Sequence, residues 1–551
     1  MKKDQGKFVA LIIAILSMWI LITLFLNSSF LKTGGKLVYS HDDAYIHMAM
    51  AKNFSQHGMW GVTKHEFSSS SSSLLWTSIL SFSYSIFGVN ELTPFVLNFF
   101  FSTVLLLFLY YLFEKFNFNF FQMLFVLICF IIFTPIPLLV FSGLEHILQI
   151  LIDLVFIYIA SIAITKHASL KDKINKNDIF IFLLAPLVTM VRFEGMFLVF
   201  AVCILLLFKR EFIKSFILGI TGILPVVIYG IVSVSKGWYF LPNSVLLKGN
   251  RLKDLLNFEG FLNFFYIGIR HIVYNIHILL LIIIILCVLL FLLKKQKSLF
   301  SFYPVICVIF LITTFIHMIF ARTGFFLNRP EQVRYDSYLV AIGLFVIFNF
   351  FGHILREKIF IQKRNFLERL ALIVLVFVCV LPLAERGIRM SVRVPQATFN
   401  VYSQQYQMGL FLDKYYKGEH VIVNDIGATN FLADIKCLDI LGLCNKDIGD
   451  LIIRGEYTNV NITKWAYTNN AKIAIIYDDL LKPVGSVPHK WIKVGEWTIL
   501  KNVICAFNTV SFYAISDNDV QGLILNIREF STQLPDGVIC RIASLNYKRK
   551  H

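Results

Sequence analysis

The chain has 551 residues, 57% hydrophobic, 15% aromatic and only 15% charged, with a formal net charge of +17. Soluble domains are closer to half apolar and a quarter charged, so this balance excludes an ordinary soluble globule and points to many membrane-spanning helices. The surplus of Lys and Arg suits cytoplasmic loops, and with no phosphate-binding glycine loop or basic nucleic-acid module, nucleic acid is set aside as a partner.

The N-terminal MKKDQGK leads into an apolar run from Phe8 to Phe30. That run is longer than a signal-peptide core and no small-residue cleavage site follows, so it reads as an uncleaved first span with its basic end in the cytoplasm. YSHDDAYIHMAMAKNF (39–54) then falls outside, with Asp42 and Asp43 side by side. Ser40 and Asp43 fit a capping box, and Ile46, Ala49, Met50 and Phe54 form the apolar stripe of a helix lying on the interface. Capping accounts for one of the two carboxylates more readily than for both. His41, His47, His57 and His65 crowd this loop at spacings that match no metal motif. The tract Ser68–Ser73 reads as a mobile loop, and Leu74–Phe87 is apolar but short.

Further apolar runs occupy 94–113, 119–136, 144–165, 178–191, 193–208, 212–235, 270–293, 299–321, 335–354 and 367–385. If 74–87 lies along the interface instead of crossing, the basic stretches 166–176, 209–214, 294–297 and 355–364 all become cytoplasmic, as the positive-inside rule prefers. This parity gives about eleven spans and puts the C-terminus outside. It also collects outside every loop of unusual polarity: Asp42/Asp43, SGLEH (142–146), RFEG (192–195), LPNSVLLKGN (241–250) and RTGFFLNRPEQVRYD (322–336).

Beyond residue 385 no spanning run remains. HVIVND (420–425), KCLDILG (436–442), KIAIIYDD (472–479) and WTILKN (497–502) read as strands and turns of a soluble α/β domain. The expected organisation is a polytopic α-helical membrane domain, 1–385, and an extracytoplasmic α/β domain, 386–551. Cys437, Cys444, Cys505 and Cys540 fall in the latter, where one or two disulfides compete with free thiols.

An outer-face site with paired carboxylates suits sugar transfer to a hydroxyl: one carboxylate takes the acceptor proton, and cations stabilise a departing phosphate. A donor on a lipid phosphate would present its head at that face. Asp42 or Asp43 supplies the base, or the two hold a divalent cation such as Mg or Mn through oxygen. Arg192, Lys248, Arg322, Arg329 and Arg334 are candidate phosphate ligands. Arg192 stands out because it interrupts nearly continuous apolar sequence, where a charge is costly unless paired or functional; Glu194 is its nearest candidate partner.

These residues carry a resemblance. The order DDAYI (42–46), SSLLWT (72–77), SGLE (142–145), RFEG (192–195), LPNS (241–244) with Lys248, and DIGA…DILGL (425–428 and 439–443) resembles the polyprenyl-phosphate-sugar-dependent glycosyltransferases of the GT-C superfamily. Within it, the order resembles the bacterial group that includes the terminal arabinofuranosyltransferases. The resemblance spans most of the chain, and each motif alone is weak. Leu74 and Phe193 stand where the group has proline. The resemblance implies a juxtamembrane helix at 74–87, an inverting transfer from a polyprenyl-phosphate-linked sugar to a glycan or glycolipid acceptor, and a bacterial inner-membrane location. It implies Asp42 as the leading base, with Asp43 positioning the acceptor or a metal. Tyr45, Trp76, Glu145, Glu194, Asn243 and Tyr335 would line the substrate cavity, Arg334 would face the donor phosphate, and the soluble domain would shape the acceptor groove. Rival readings are a transporter or flippase for lipid-linked sugar, which would favour internal repeats, and a glycan polymerase or ligase, which would carry its polar cluster in a late outer loop.

Overall fold

The computed structural model describes residues 2–116, 118–165, 174–248, 258–295, 297–320, 330–357 and 381–544. Among them, eight helical stretches are long and apolar enough to cross a membrane. They lie in α1 (Lys2–Thr33), α4 (Thr93–Glu114), α5 (Phe120–Phe133) with its continuation α6 (Ile136–Ser142), α7 (His146–Thr165), α10 (Phe212–Ser235), α13 (Ile276–Lys294), α14 (Phe302–Phe320) and α15 (Pro330–Glu357). Many of their apolar side chains, such as Ile20, Phe121, Phe216 and Ile231, face outward and suit lipid, because no internal core covers them. α8 (Lys176–Val191) and α9 (Gly195–Phe208) are shorter but join the same two ends of the bundle. Lys214 pairs with Asp178 at one end of α8 (3.2 Å), and Arg192 at its other end meets Glu145 just before α7 (2.6 Å). The span expected at 367–385 lies outside the described residues apart from its last part, which belongs to α16 (381–391).

The basic connections share one end. There Lys7 Nζ donates to the Glu114 carbonyl (2.7 Å), Lys209 Nζ to the Ile164 carbonyl (2.6 Å), and Lys214 pairs with Glu211 (3.0 Å). The opposite end carries α2 (Asp42–His57) and α3 (Leu74–Phe87). Ser73 caps α3 by accepting from Trp76 N (3.2 Å), and the residues after α3 return to the same end, where the Tyr39 hydroxyl donates to the Glu91 carbonyl (2.5 Å). α3 therefore lies across the bundle mouth and does not cross.

Two local expectations are corrected. α2 begins after His41, with no side-chain cap, and Ser40 Oγ donates instead to the Phe141 carbonyl (3.1 Å), tying the loop to α6. Ser68–Ser71 and Ser73 are buried, not a mobile loop. Small hydroxyls suit a crowded seam because they satisfy nearby backbone carbonyls at little volume.

α17 (Val394–Val401), a π turn (Tyr402–Tyr406) and α18 (Gln407–Tyr415) lead into the C-terminal domain. The predicted boundary after residue 385 falls inside α16, whose Arg386 still pairs with Asp336 of α15. The sheet contains β1 (His420–Val423), β2 (Lys436–Asp439), β3 (Ile473–Ile476), β4 (Ile492–Ile499), β5 (Thr509–Ala514) and β6 (Val538–Ile542) in the order β2-β1-β3-β5-β4-β6. β2, β1 and β3 are parallel; β5, β4 and β6 pair antiparallel. α19 (Ala428–Leu432), α20 (Lys446–Arg454), α21 (Asn459–Thr468) and α22 (Asp517–Ser531) complete it. The fold class is thus a polytopic helical membrane protein with juxtamembrane helices and a C-terminal α/β domain. None of that domain's four cysteines forms a disulfide. Cys437 and Cys444 face each other as thiols with Sγ atoms 3.8 Å apart, Cys505 points at Gln405, and Cys540 sits on the edge strand β6.

Candidate active site

Consecutive residues on a helix point about 100° apart, and α2 uses that divergence. Asp42 faces the C-terminal domain. Its Oδ2 accepts from Gly427 N (2.9 Å) and its Oδ1 from Ala428 N (2.8 Å), in the turn that follows β1. Only glycine fits this turn, because a Cβ on residue 427 would lie 2.1 Å from the Asp42 carbonyl oxygen. Desolvation and the nearby Asp425 carboxylate push the Asp42 carboxyl well above the usual carboxylate range, and the two amides counter part of that shift. Asp425 is held by Gln405 Nε2 (2.8 Å).

The rest of this seam is built from motif residues. Asp439, at the end of β2, accepts from Leu441 N (2.8 Å), Leu443 N (2.6 Å) and Cys444 N (2.9 Å), which shapes a loop. That loop presents the Gly442 carbonyl to Asn243 Nδ2 (2.7 Å) and the Leu443 carbonyl to Ser70 Oγ (2.8 Å). Asn243, at the start of α11 (Asn243–Lys248), also donates its backbone N–H to the Ser69 carbonyl (2.9 Å). DIGA, DILGL, LPNS and the serine tract are therefore one interface. Tyr45 closes it, packed at ring distances of 5.7 Å from Tyr39 and 5.9 Å from Phe431.

Asp43 points the other way, into the mouth of the bundle. Its Oδ2 lies 2.5 Å from Nη2 of Arg334, which also donates to the Tyr335 hydroxyl (2.8 Å). Arg192, at the break between α8 and α9, donates Nη1 to Glu145 (2.6 Å) and Nη2 to Glu194 (2.7 Å). Both guanidinium groups lie over the Tyr335 ring, at 5.5 Å for Arg192 and 4.7 Å for Arg334, so the two ion clusters adjoin. Trp76 supports the site from beneath: it is fully buried and its indole N–H donates to the Gly143 carbonyl (3.2 Å), fixing the SGLE turn. Gly143 needs its left-handed φ of 70°, and a Cβ there would strike the Tyr39 ring at 2.5 Å.

The structure thus unites Asp43, Glu145, Arg192, Glu194, Arg334 and Tyr335, while Asp42, Tyr45 and Asn243 belong to the seam. The Lys248 side chain, Arg322 and Arg329 lie outside the described residues. His47 is an addition. Its Nδ1 is 2.8 Å from Thr77 Oγ1 and its Nε2 3.8 Å from Glu145. Burial holds its pKa below the ordinary histidine value, which favours the neutral imidazole. His41, under burial and the Arg334 charge, is lowered further. The acidic doublet does not fit a cation site, because one carboxylate turns to backbone amides and the other to a guanidinium. Among the described residues no group of three or more His, Cys, Asp or Glu side chains is arranged to hold a metal ion.

Residues 396–513 match a family model described as "Domain of unknown function (DUF8728)". No curated protein matches the chain. Among solved structures, the crystal structure of ArnT from Cupriavidus metallidurans bound to undecaprenyl phosphate is similar at 9% identity and a TM-score of 0.44, over 91% of this chain and 98% of that one.

Proposed function

We propose that the protein is an inverting glycosyltransferase of the GT-C type, moving a sugar from a polyprenyl-phosphate donor to a hydroxyl of an envelope glycan or glycolipid. The working face is the outer face of a bacterial inner membrane, the basic end of the bundle lying in the cytoplasm. The observation that carries this reading is the juxtaposition at the bundle mouth of a carboxylate, Asp43, with Arg334 and Arg192 around one tyrosine ring.

The base assignment moves from Asp42 to Asp43, because Asp42 has both oxygens committed to the C-terminal domain. In the resting state Arg334 holds Asp43. An arriving donor phosphate competes for that guanidinium and leaves Asp43 to accept the acceptor's proton. The acceptor oxygen then attacks the anomeric carbon as its bond to the phosphate oxygen breaks. Arg334, with Arg192 behind it, takes up the charge that develops on the leaving lipid phosphate. Glu145 and Glu194 keep Arg192 in place, and Tyr335 spaces the two cations. A cavity of about 180 Å³ between α2 and the C-terminal domain, lined by Lys52, His57, Lys64 and Lys417, lies at the far end of α2 from Asp43 and offers basic groups to a more distant part of an acceptor glycan.

The test is direct. Purified protein in lipid nanodiscs is given undecaprenyl-phosphate sugars, and release of undecaprenyl phosphate is followed with extracted envelope glycans as acceptor. Mass spectra of surface glycans with and without the protein name the sugar in parallel. Release that depends on acceptor supports the reading; no release from any donor, with surface glycans unchanged, removes it.

A further inference from the structure

A second polar group lies below the mouth, inside the bundle. On α7, His146, Gln149 and Asp153 form one stripe at spacings of three and four residues, within the otherwise apolar HILQILID. All three are at most 1% exposed. On α14, which packs against α7, Thr313, Thr314 and His317 are each fully buried. His317 Nδ1 is 2.8 Å from the Tyr338 hydroxyl of α15, and Asp153 and His317 both lie within electrostatic reach of Glu194.

Both ring nitrogens of His146, Nε2 of Gln149, both oxygens of Asp153, the two threonine hydroxyls and Nε2 of His317 make no hydrogen bond of ordinary geometry among the described residues; Gln149 interacts with both His146 and Asp153, which still leaves most of these donors and acceptors unsatisfied. Polar atoms at membrane depth are costly in this condition, and so many together point to a ligand or to ordered water. The chemistry selects among the parts of a lipid-phosphate donor. A prenyl chain offers these groups nothing. A phosphate finds its cations in the arginines above. A sugar has hydroxyls that both donate and accept, matching a carboxylate, an amide, imidazoles and hydroxyls on two packed helices.

We infer that the α7–α14 stripe is the hydroxyl-recognition wall for the donor's sugar, with Gln149 and Asp153 the residues that decide which sugar is taken. This rests on the donor class proposed above. The experiment measures binding, not turnover. Full-length protein in nanodiscs is titrated with bare undecaprenyl phosphate and with a panel of undecaprenyl-phosphate hexoses and pentoses. The wild type should bind at least one glycosylated lipid about tenfold or more tightly than the bare lipid. Gln149→Leu and Asp153→Leu should each lose that preference by roughly tenfold, keep their affinity for the bare lipid, and melt no lower than wild type, since a buried polar group short of hydrogen bonds has been removed. Asp153→Asn, which keeps shape and some hydrogen bonding, should retain part of the preference. A wild type indifferent to the sugar, or leucine variants that keep the full preference, overturns the inference and leaves the stripe a bed for structural water. If the wild type binds neither kind of lipid, the donor class itself fails, which is a separate result.

Discussion

The two sides of α2 open onto regions built on opposite principles. At the seam with the C-terminal domain, most polar groups are matched: Asp42 with two amides, Asn243 Nδ2 and Ser70 with carbonyls, and Asp439 with three amides of its own loop, while Asn243 Oδ1 and Asn430 Oδ1 are exceptions. At the mouth and below it, charges are paired in a crowd around Tyr335, and neutral polar groups are left short of hydrogen bonds. A matched interface holds a domain in place; a region with surplus hydrogen-bonding capacity is prepared for something that arrives. The contrast separates scaffold from site where the sequence shows only two aspartates in a row.

The contrast breaks hardest at Arg192. Replacing it with Ala leaves Glu145, which is fully buried, without its cation, and should cost about 3–5 kcal/mol, read by thermal unfolding in detergent. On the seam, Gly427→Ala forces a Cβ against the Asp42 backbone and should cost about 1–3 kcal/mol. Faster amide exchange confined to α2 and to residues 425–433 should accompany it; a change spread over the spans would deny that the seam is a separate unit.

A pH series sharpens the same point. Desolvation and Asp425 push the Asp42 carboxyl up to about 8, so over a window from the ordinary aspartate value near 4 the native state keeps a proton that the unfolded chain releases. That contribution is fully present at the acid end and is lost as pH rises through about 8. The melting-temperature gap between wild type and Asp42→Asn should therefore move against the wild type from pH 5 to pH 8, and a flat gap would show that Asp42 does not titrate in this way. The smallest effect is expected for Ser70→Ala, which removes one hydrogen bond to the Leu443 carbonyl and should cost about 1 kcal/mol.

Much of the architecture was legible because lipid imposes length and charge rules on sequence. The apolar runs located the spans, and the distribution of Lys and Arg placed 74–87 across the mouth. Four of the six strands, β1 to β4, were visible from short apolar runs; β5 and β6 were not singled out, TVSFYA being mixed in character and VICRI an edge strand with only partial burial. The candidate site was legible as a set of motifs, several of which the fold brings together, but not as a division of labour. Which of two adjacent carboxylates turns to the bundle's arginines depends on where a domain almost 400 residues later docks, and no local pattern encodes that. The serine tract misled for a related reason: small polar residues suit exposed loops and tight seams alike. His146, Gln149 and Asp153 did leave a signal, polar residues at helical spacing in a span, which a search confined to loops passes over.

The central claim is that Asp43, not Asp42, takes the acceptor's proton. It is tested by measuring sugar transfer from the undecaprenyl-phosphate donor by purified Asp43→Asn and Asp42→Asn, each first shown to be folded. The account predicts that Asp43→Asn lowers turnover by about 10²–10⁴-fold, the usual worth of a general base, while still binding donor, and that Asp42→Asn keeps most of its turnover. Full turnover in Asp43→Asn, or its loss in a well-docked Asp42→Asn, would contradict it.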